Sequence, residues 1–380
     1  MTFSFNIKDI QNKRHDLINK LNYVTDDQEK KDIMISLRNY YYMLMFSDSF
    51  LRKVLYNFQN RKYKNFDCEK TQNDTNYLQY LVEIAEICRH GHLDSYYKEL
   101  DRKEITLDET IKLTKEFFEF LGDDEYCTYV DKILNPNNHL LHIRKKQILC
   151  DRLHGLAIND FINRNSYCVM QEKNTLWDMK TLCHELIHAI EFQFNKKINA
   201  SIHTNCFGYK EVPAFFIEQI IKEFIFSTKY YFRFKNDIEQ LLKNRTISIK
   251  EDSIDIMHEI FMTVAEKRSK ENRTDFILPE MRSVTYDIKD FYESGDIEAI
   301  MEEKLWEKLQ FVGSYVISRT MANIYKEDKL KGLKLLKKIM SVLSPSEMHK
   351  VLLEYDITED SLISTSKQIY PEYGEYQKIR

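Results

Sequence analysis

Two histidines and a glutamate lie close together in the segment His184-Glu185-Leu-Ile-His188, which has the pattern HExxH. On an α-helix, residues four apart share a face, so both imidazoles would point the same way. Neutral imidazole nitrogens are good ligands for Zn²⁺. Glu185 lies one position round the helix, where its carboxylate can reach a water near the ion without binding the ion. The motif therefore predicts one Zn²⁺ per chain.

A third ligand is expected from the segment that follows a polar loop. Glu211 and Glu218 are seven residues apart, which places them on one face of a helix with Pro213 in its first turn. One carboxylate can bind the ion while the other orients a ligand histidine, and the spacing leaves open which does which. His203, on the polar loop, is a weaker candidate. The structural alternative is that both histidines of the motif are surface or core residues.

Helices must carry these residues, because the 380-residue chain has only 8 Gly and 5 Pro. At average usage a chain of this length would carry roughly 27 and 19 of these helix-interrupting residues. Amphipathic patterns predict early helices over 7–21, 26–60 and 75–91 and between Thr106 and Gly122. The HExxH segment is predicted to be helical over 175–197 and the third-ligand segment over 209–234.

Short, partly alternating apolar segments between about 146 and 173 are the strand candidates, and they predict a small sheet over 147–172. The predicted fold class is mainly α, with two helical lobes around a cleft and the small β-sheet beside the HExxH helix. We expect an N-terminal helical lobe at 1–145 and a second region at 146–380 that carries the metal motif. The C-terminal helical part of that region covers 236–375.

Charge and cysteine usage exclude several classes of protein. Lys and Arg number 56 and Asp and Glu number 60, so the net charge of −4 gives no reason to expect nucleic-acid binding. The apolar runs are too short to span a bilayer, so no membrane association is expected. Seven widely spaced Cys without a CxxC favour neither a disulfide framework nor a thiolate metal site. With no signal peptide visible, a cytoplasmic location is expected.

Two segments together resemble the thimet oligopeptidase and oligoendopeptidase F family of zinc peptidases. They are 174–189, Asn-Thr-Leu-Trp-Asp-Met-Lys-Thr-Leu-Cys-His-Glu-Leu-Ile-His-Ala, and 211–218, Glu-Val-Pro-Ala-Phe-Phe-Ile-Glu. The resemblance covers about 150–375 and is strongest at 174–218. It implies that Glu211 is the third ligand. It also implies that Glu218 and Asp178 contact the ligand residues and orient them without binding the ion.

The resemblance extends to residues that would act on the substrate. Gly313-Ser-Tyr315 is similar to a tyrosine-bearing helix of the family, which implies that the Tyr315 hydroxyl polarises the scissile carbonyl. The alternative is that Tyr315 is a core residue, since the chain has 24 Tyr. The family also implies that one strand is an edge strand that pairs with an extended peptide. The residues of that strand are Ser166, Tyr167, Cys168, Val169 and Met170.

The resulting expectation is a zinc endopeptidase that cleaves short peptides, with Glu185 as the general base. A second hypothesis is a peptidase-like binding or regulatory protein that cleaves weakly, because Ile187 and Glu191 occupy positions where the family has Gly and His. A third is a narrow-specificity protease that acts on one protein substrate. Peptides are the expected partners, and the sequence does not fix the oligomeric state.

Overall fold

The computed structural model describes residues 3–47, 75–90, 103–144, 154–195, 197, 208–270 and 305–373. Most of these residues are helical. The helices, numbered in chain order, are α1 (Ile7–Leu21), α2 (Asp27–Ser47), α3 (Thr75–Arg89), α4 (Leu107–Leu121), α5 (Asp124–Ile133), α6 (Leu176–Phe194), α7 (Glu211–Ser227), α8 (Tyr231–Lys270), α9 (Leu305–Glu327), α10 (Lys329–Met340), α11 (Pro345–Glu354) and α12 (Glu359–Ile369). The strands are β1 (Leu141–Arg144), β2 (Gly155–Asp160) and β3 (Asn165–Gln171). The predicted class, mainly helical with a small sheet, is confirmed.

Local sequence signals set the ends of several helices. The Thr106 hydroxyl accepts a hydrogen bond from the Glu109 backbone N–H at 3.2 Å, which caps the start of α4. Gly122 ends that helix with a φ of 77°, a left-handed conformation that glycine adopts without strain. The helix predicted over 26–60 is helical from Asp27 to Ser47, and 48–60 lie outside the described residues.

The sheet has the strand order β1-β3-β2. β1 pairs with β3 in parallel, with Leu141 opposite Cys168, whereas β2 pairs with β3 in antiparallel fashion, with Ala157 opposite Cys168. The first part of the predicted sheet, 147–153, lies outside the described residues, and β1, which precedes the predicted range, was not predicted. β3 is therefore the central strand, and the register gives it a hydrogen-bonded neighbour on both sides.

α6 and α7 lie at the centre of the fold and carry the predicted site. α7 packs against α6, α8 and α9, and α6 also packs against β2 and β3. The structure ends α7 at Ser227 and begins α8 at Tyr231, so the helix predicted over 209–234 is in fact two helices. Among the described residues, no helix combines the length and the apolar character of a membrane span.

The division at 145/146 stays a prediction. Buried side chains from both predicted regions belong to one hydrophobic core. Phe117 of α4, for example, packs edge-to-face against Phe224 of α7, with ring centroids 5.7 Å apart. Shared burial of this kind holds the helices that carry the site in fixed positions.

Candidate metal centre

α6 brings the two histidines of the HExxH motif together. The Nε2 atoms of His184 and His188 are 3.3 Å apart, and their rings meet edge-to-face. Both side chains are about 85% buried, with exposed fractions of 14% and 15%. Their position on one face of α6 follows from the four-residue spacing.

Glu211, the first residue of α7, places its carboxylate against both imidazoles. Its Oε2 lies 3.3 Å from His184 Nε2 and its Oε1 lies 3.6 Å from His188 Nε2. A tetrahedral Zn²⁺ with bonds of about 2.0–2.1 Å separates its ligand atoms by roughly 3.4 Å. The donor set of two imidazole nitrogens and one carboxylate oxygen therefore fits one such ion in both type and spacing, with all three donor atoms within 4.8 Å of one another.

The electrostatics of these three side chains favour a cation between them. Burial raises the pKa of Glu211, but the nearby His188 and His184 outweigh burial and hold it well below its usual range. Burial lowers the pKa of His184, but Glu211 and Glu218 outweigh it and raise the pKa to about 9. The site therefore attracts positive charge, and a proton and a metal ion would compete for the same nitrogens.

Glu218 lies two turns further along α7 and holds His184 from the other side. Its Oε1 accepts a hydrogen bond from His184 Nδ1 at 2.9 Å, which leaves Nε2 of the neutral ring unprotonated on the side of Glu211. The same carboxylate accepts from Lys180 Nζ at 3.0 Å and from Arg245 Nε and Nη2 at 3.0 and 2.6 Å. Although burial acts to raise its pKa, Arg245 and Lys180 hold the pKa of Glu218 well below its usual range.

Glu185 is held between α6 and β2. Its side chain is buried, and its carboxylate accepts a hydrogen bond from the Ala157 backbone N–H. β2 approaches so closely that a Cβ at Gly155 would lie 2.7 Å from Glu185 Oε1. Burial raises the pKa of Glu185 above its usual range, as expected for a carboxylate that takes up a proton during a reaction.

The structure corrects the predicted substrate strand. Ser166, Tyr167, Cys168, Val169 and Met170 lie in β3, which is central and paired on both sides, so this strand has no edge to offer a peptide. The prediction was wrong because β1 lies beyond β3 on the side away from β2.

β1 and β2 are the edge strands of the described sheet, and β2 is the one that lies beside the site. Its outward-facing backbone groups include the Ala157 N–H, which contacts Glu185, and the Asn159 C=O, which accepts from Asn39 Nδ2 at 2.6 Å. Backbone groups alternate in direction along a strand, so those of Gly155 also point away from β3.

Two further predicted residues lie away from the ligand atoms. Asp178 accepts backbone N–H groups of Lys173 and Asn174 at 2.8–3.0 Å, so it caps the start of α6 rather than supporting a histidine. The Tyr315 side chain is fully buried, and its hydroxyl lies 2.7 Å from Thr246 Oγ1. Tyr315 is also absent from the described residues that line the cavity over the site. Neither side chain lies where the resemblance implies.

A buried ion pair that the sequence did not reveal joins α6 to the start of α7. Lys210, which directly precedes Glu211, donates to Glu191 Oε1 at 2.8 Å and to the Val342 C=O at 3.2 Å. Glu191 lies three residues after His188 on α6, so the pair joins the two ligand-bearing segments directly. Ile187, which directly precedes His188, is fully buried in the hydrophobic core.

Sequence spacing could have indicated some of the charged side chains that surround the candidate ligands. Lys180 precedes His184 by four residues and therefore shares its face of α6, and Glu191 follows His188 by three. Arg245 gave no such signal, because it reaches Glu218 from α8 through tertiary packing.

These side chains surround a cavity of about 360 Å³. The described residues that line it come from five elements and the segments next to them, and they are His154, Gly155, Leu156, Ala157, Asn159, Trp177, Lys180, Thr181, His184, Glu185, His188, Lys210, Glu211, Phe215, Glu218, Arg245 and Phe311. A water or a peptide group in this cavity would lie next to both the ligand atoms and Glu185. The arrangement can therefore support hydrolysis by an activated water.

Neither a family model nor a curated protein matches the sequence. Solved structures that resemble it in fold include those of four peptidases, two of which are described as oligoendopeptidase F. They include an assigned oligoendopeptidase F from Bacillus anthracis str. Ames, with 11% identity, a TM-score of 0.47 and coverage of 90% of this chain and 63% of that one. PZ peptidase A with an inhibitor has 13% identity, a TM-score of 0.44 and coverages of 92% and 65%. An assigned peptidase from Chlamydophila abortus has 14% identity, a TM-score of 0.45 and coverages of 93% and 62%. This chain thus spans less than two thirds of the length of each.

Proposed function

We propose that this protein is a zinc-dependent peptidase of the oligoendopeptidase F type that hydrolyses peptide bonds in short peptides in the cytoplasm. The observation that carries the proposal is the convergence of His184, His188 and Glu211, with the Glu185 carboxylate beside them. Three protein ligands leave one position open on a tetrahedral ion, as catalytic zinc sites require.

His184, His188 and Glu211 would hold the ion, which when bound would polarise a peptide carbonyl and make a water more acidic. Glu185 takes the proton from the attacking water and passes it to the leaving amine. Its buried position and its bond from the Ala157 N–H keep the carboxylate aimed at the cavity. Glu218 holds the His184 ring in the orientation that turns Nε2 towards Glu211.

The edge of β2 supplies a means to position a peptide. The outward-facing backbone groups of Gly155 and Ala157 lie next to Glu185, so an extended peptide added to this edge would pass directly over the site. Main-chain pairing of this kind accepts many side-chain sequences, which suits a broad peptidase.

The test compares the wild type with Glu185→Gln. Zinc per chain is measured by mass spectrometry, and cleavage of a quenched mixed-sequence peptide library is measured by fluorescence. We expect one zinc in both proteins and a loss of about 10²–10⁴-fold in cleavage for the variant, the usual contribution of a general base. A wild type that binds no zinc after reconstitution would overturn the metal site.

Two other outcomes point to other functions. Zinc without cleavage by the wild type would favour a peptidase-like binding protein. A series of lengthening peptides separates the remaining possibilities, because an oligopeptidase stops cleaving as substrates lengthen, whereas a protease with one protein substrate does not.

A further inference from the structure

The exposure of β2 changes part-way along the strand. Leu156 and Ala157 are half-buried, whereas Ile158, Asn159 and Asp160 are buried, with exposed fractions of 7% or less. The cavity over the candidate metal centre follows the same division, because the β2 residues that line it end at Asn159. The edge of β2 is therefore open beside the cavity and covered beyond it.

α2 covers the end of this edge and is bonded to its backbone. The Asn159 C=O accepts a hydrogen bond from Asn39 Nδ2 at 2.6 Å, and the Phe161 N–H donates to Ser36 Oγ at 3.1 Å. Both backbone groups belong to the set that points away from β3, since every second residue of a strand faces the same neighbour. α2 therefore occupies the positions that an added strand would need.

Further contacts at the same level hold α2 in place. The Tyr40 hydroxyl donates to the Asp160 carboxylate, and both side chains are buried. Ile35 belongs to a small hydrophobic cluster with Phe161 and with Phe192 of α6. A helix packed in this way is part of the folded core, so a peptide could displace it only by breaking several buried contacts.

The open part of the edge lies beside the expected general base. The Ala157 N–H donates to the Glu185 carboxylate, and Gly155 lies against the same side chain. From Ala157 to Asn159 the strand advances by about 7 Å, at about 3.4 Å per residue. A peptide bond next to Glu185 is therefore about two residues from the covered part of the edge.

The direction of β2 determines which side of a peptide meets α2. The strand runs from Gly155 beside the site to Asp160 beneath α2. A peptide paired antiparallel to β2, the more stable arrangement, has its N-terminal side towards Asn159. Its C-terminal side passes Gly155 towards His154 and Trp177, where the cavity continues. The obstruction thus lies on the N-terminal side alone.

We propose that α2 limits the substrate to about two residues on the N-terminal side of the cleaved bond, and that Asn39 sets this limit. This inference rests on the proposed peptidase function. Hydrolysis with one water then releases one or two N-terminal residues with a new carboxylate and leaves the rest of the peptide with a new amino group. Asn39 is a specificity-determining residue, because its amide bonds to the Asn159 carbonyl that a longer substrate would use.

The first test measures binding and needs no turnover. Each probe joins one to four alanines to a hydroxamate, which binds zinc at its open position. A C-terminal hydroxamate directs the alanines along the N-terminal side of the site, and an N-terminal succinyl hydroxamate directs them along the C-terminal side. Calorimetry with the zinc-loaded wild type compares the two series. We expect affinity to fall about tenfold from two to four alanines in the first series only, roughly the contribution of the Asn39 bond that must break.

A variant and a matched control assign the limit to Asn39. Asn39→Ala frees the Asn159 C=O and should remove most of the fall in affinity. Asn138→Ala also removes an asparagine that donates to a backbone carbonyl, that of Lys132 at 2.7 Å, but away from the cavity, so it should leave the fall intact. Asn39→Ser, whose side chain is too short to reach the carbonyl, replaces Asn39→Ala if the latter does not fold.

The second test identifies the products that the wild type releases from the mixed-sequence peptide library. Mass spectrometry should find N-terminal products of one or two residues. Main products with three or more N-terminal residues overturn the proposal. It is also overturned if affinity does not fall in the first hydroxamate series, or if it falls equally in both, which would show enclosure by the cavity as a whole.

The peptidase function is judged separately, by zinc content and library cleavage. A protein that cleaves the library without the fall in affinity keeps that function and loses the limit set by α2. A protein that shows the fall without cleaving keeps α2 as the boundary of a peptide-binding site. If no hydroxamate binds, the metal site is overturned and this inference with it.

Discussion

Glu211 and Glu218 lie on the same face of α7, two turns apart, and both contact His184, yet their surroundings differ sharply. Glu218 has no exposed surface, and it is bonded to Lys180 Nζ and to the Arg245 guanidinium as well as to His184 Nδ1. The Glu211 side chain is 15% exposed, and its partners among the described residues are the Nε2 atoms of two imidazoles.

The comparison shows how surroundings assign different roles to identical side chains on one helix. Lysine and arginine stay protonated at neutral pH, so they already neutralise Glu218 and leave little of its charge for an ion. Imidazoles can give up their protons, and Glu211 then faces two neutral nitrogens of the kind that are good ligands for Zn²⁺. The fixed cations therefore separate the ligand region around Glu211 from the supporting region around Glu218.

Substituting Glu211 should have the largest effect on metal binding. Glu211→Gln removes a ligand charge, so the zinc dissociation constant should rise by more than about 100-fold, beyond the 10–100-fold that outer partners contribute. Competition with a chelator measures it. Glu223→Gln on the same helix is the matched control, since Glu223 pairs with Lys326 at the surface and should leave zinc affinity unchanged. If Glu211→Gln bound zinc as tightly as the wild type, Glu211 would not be a ligand and the contrast with Glu218 would fail.

Substituting Glu218 should affect stability more than Glu211 does. Glu218→Gln leaves Lys180 and Arg245 buried without their carboxylate, and breaking a buried pair in this way costs roughly 3–5 kcal/mol of unfolding free energy. Zinc affinity should fall by only about 10–100-fold, because His184 keeps a hydrogen-bond acceptor in the amide oxygen. Denaturant unfolding of the metal-free proteins supplies the measurement. A larger stability loss in Glu211→Gln would reverse the two roles.

The pair between Glu191 and Lys210 extends the supporting region to the start of α7. Lys210→Met leaves Glu191 buried without its partner, with an expected loss of about 3 kcal/mol in unfolding free energy. The double variant Glu191→Leu with Lys210→Met should lose less than the two single variants summed, because no unpaired charge remains. Zinc affinity in the double variant then reports whether the pair also positions Glu211. Strict additivity of the three unfolding energies would show that the two side chains do not interact.

The ligand region was predictable from the sequence because its spacing is local. Four residues separate the histidines and seven separate the glutamates, and helical periodicity turns each spacing into a shared face. The scarcity of Gly and Pro likewise predicted a mainly helical fold.

The errors concern contacts made between distant parts of the chain. β3 is central because the four-residue strand β1 pairs with it in parallel, and so short a segment has no clear pattern of its own. Arg245 reaches Glu218 from α8, and the Tyr315 hydroxyl meets Thr246, across helix packing that no local spacing encodes. The similarity of a tyrosine-bearing segment to a family motif does not fix where the hydroxyl points.

Substituting Tyr315 should have the smallest effect on peptide cleavage, and the size of that effect shows whether its side chain belongs to the ligand region or to the supporting region. Its ring packs on Phe215, which lies between Glu211 and Glu218 on α7, and its hydroxyl is bonded to Thr246 rather than facing the cavity. In Tyr315→Phe, kcat/KM for peptide cleavage should stay within about threefold of the wild type, against the loss of about 10²–10³ that removal of an oxyanion donor causes.

The stability change in Tyr315→Phe should also be small, about 1 kcal/mol, the usual net contribution of one hydrogen bond. Thr246 Oγ1 keeps its bond to the Leu242 C=O at 3.1 Å, so no buried donor is left without an acceptor. Tyr325→Phe is the matched control, because the buried Tyr325 hydroxyl has no hydrogen-bond partner in the described structure and its removal should cost less still. A loss of 10² or more in kcat/KM for Tyr315→Phe, with unfolding free energy unchanged, would instead place the hydroxyl in the cavity during turnover. Tyr315 would then belong to the ligand region, and the side chains between the two glutamates would have to move when substrate binds.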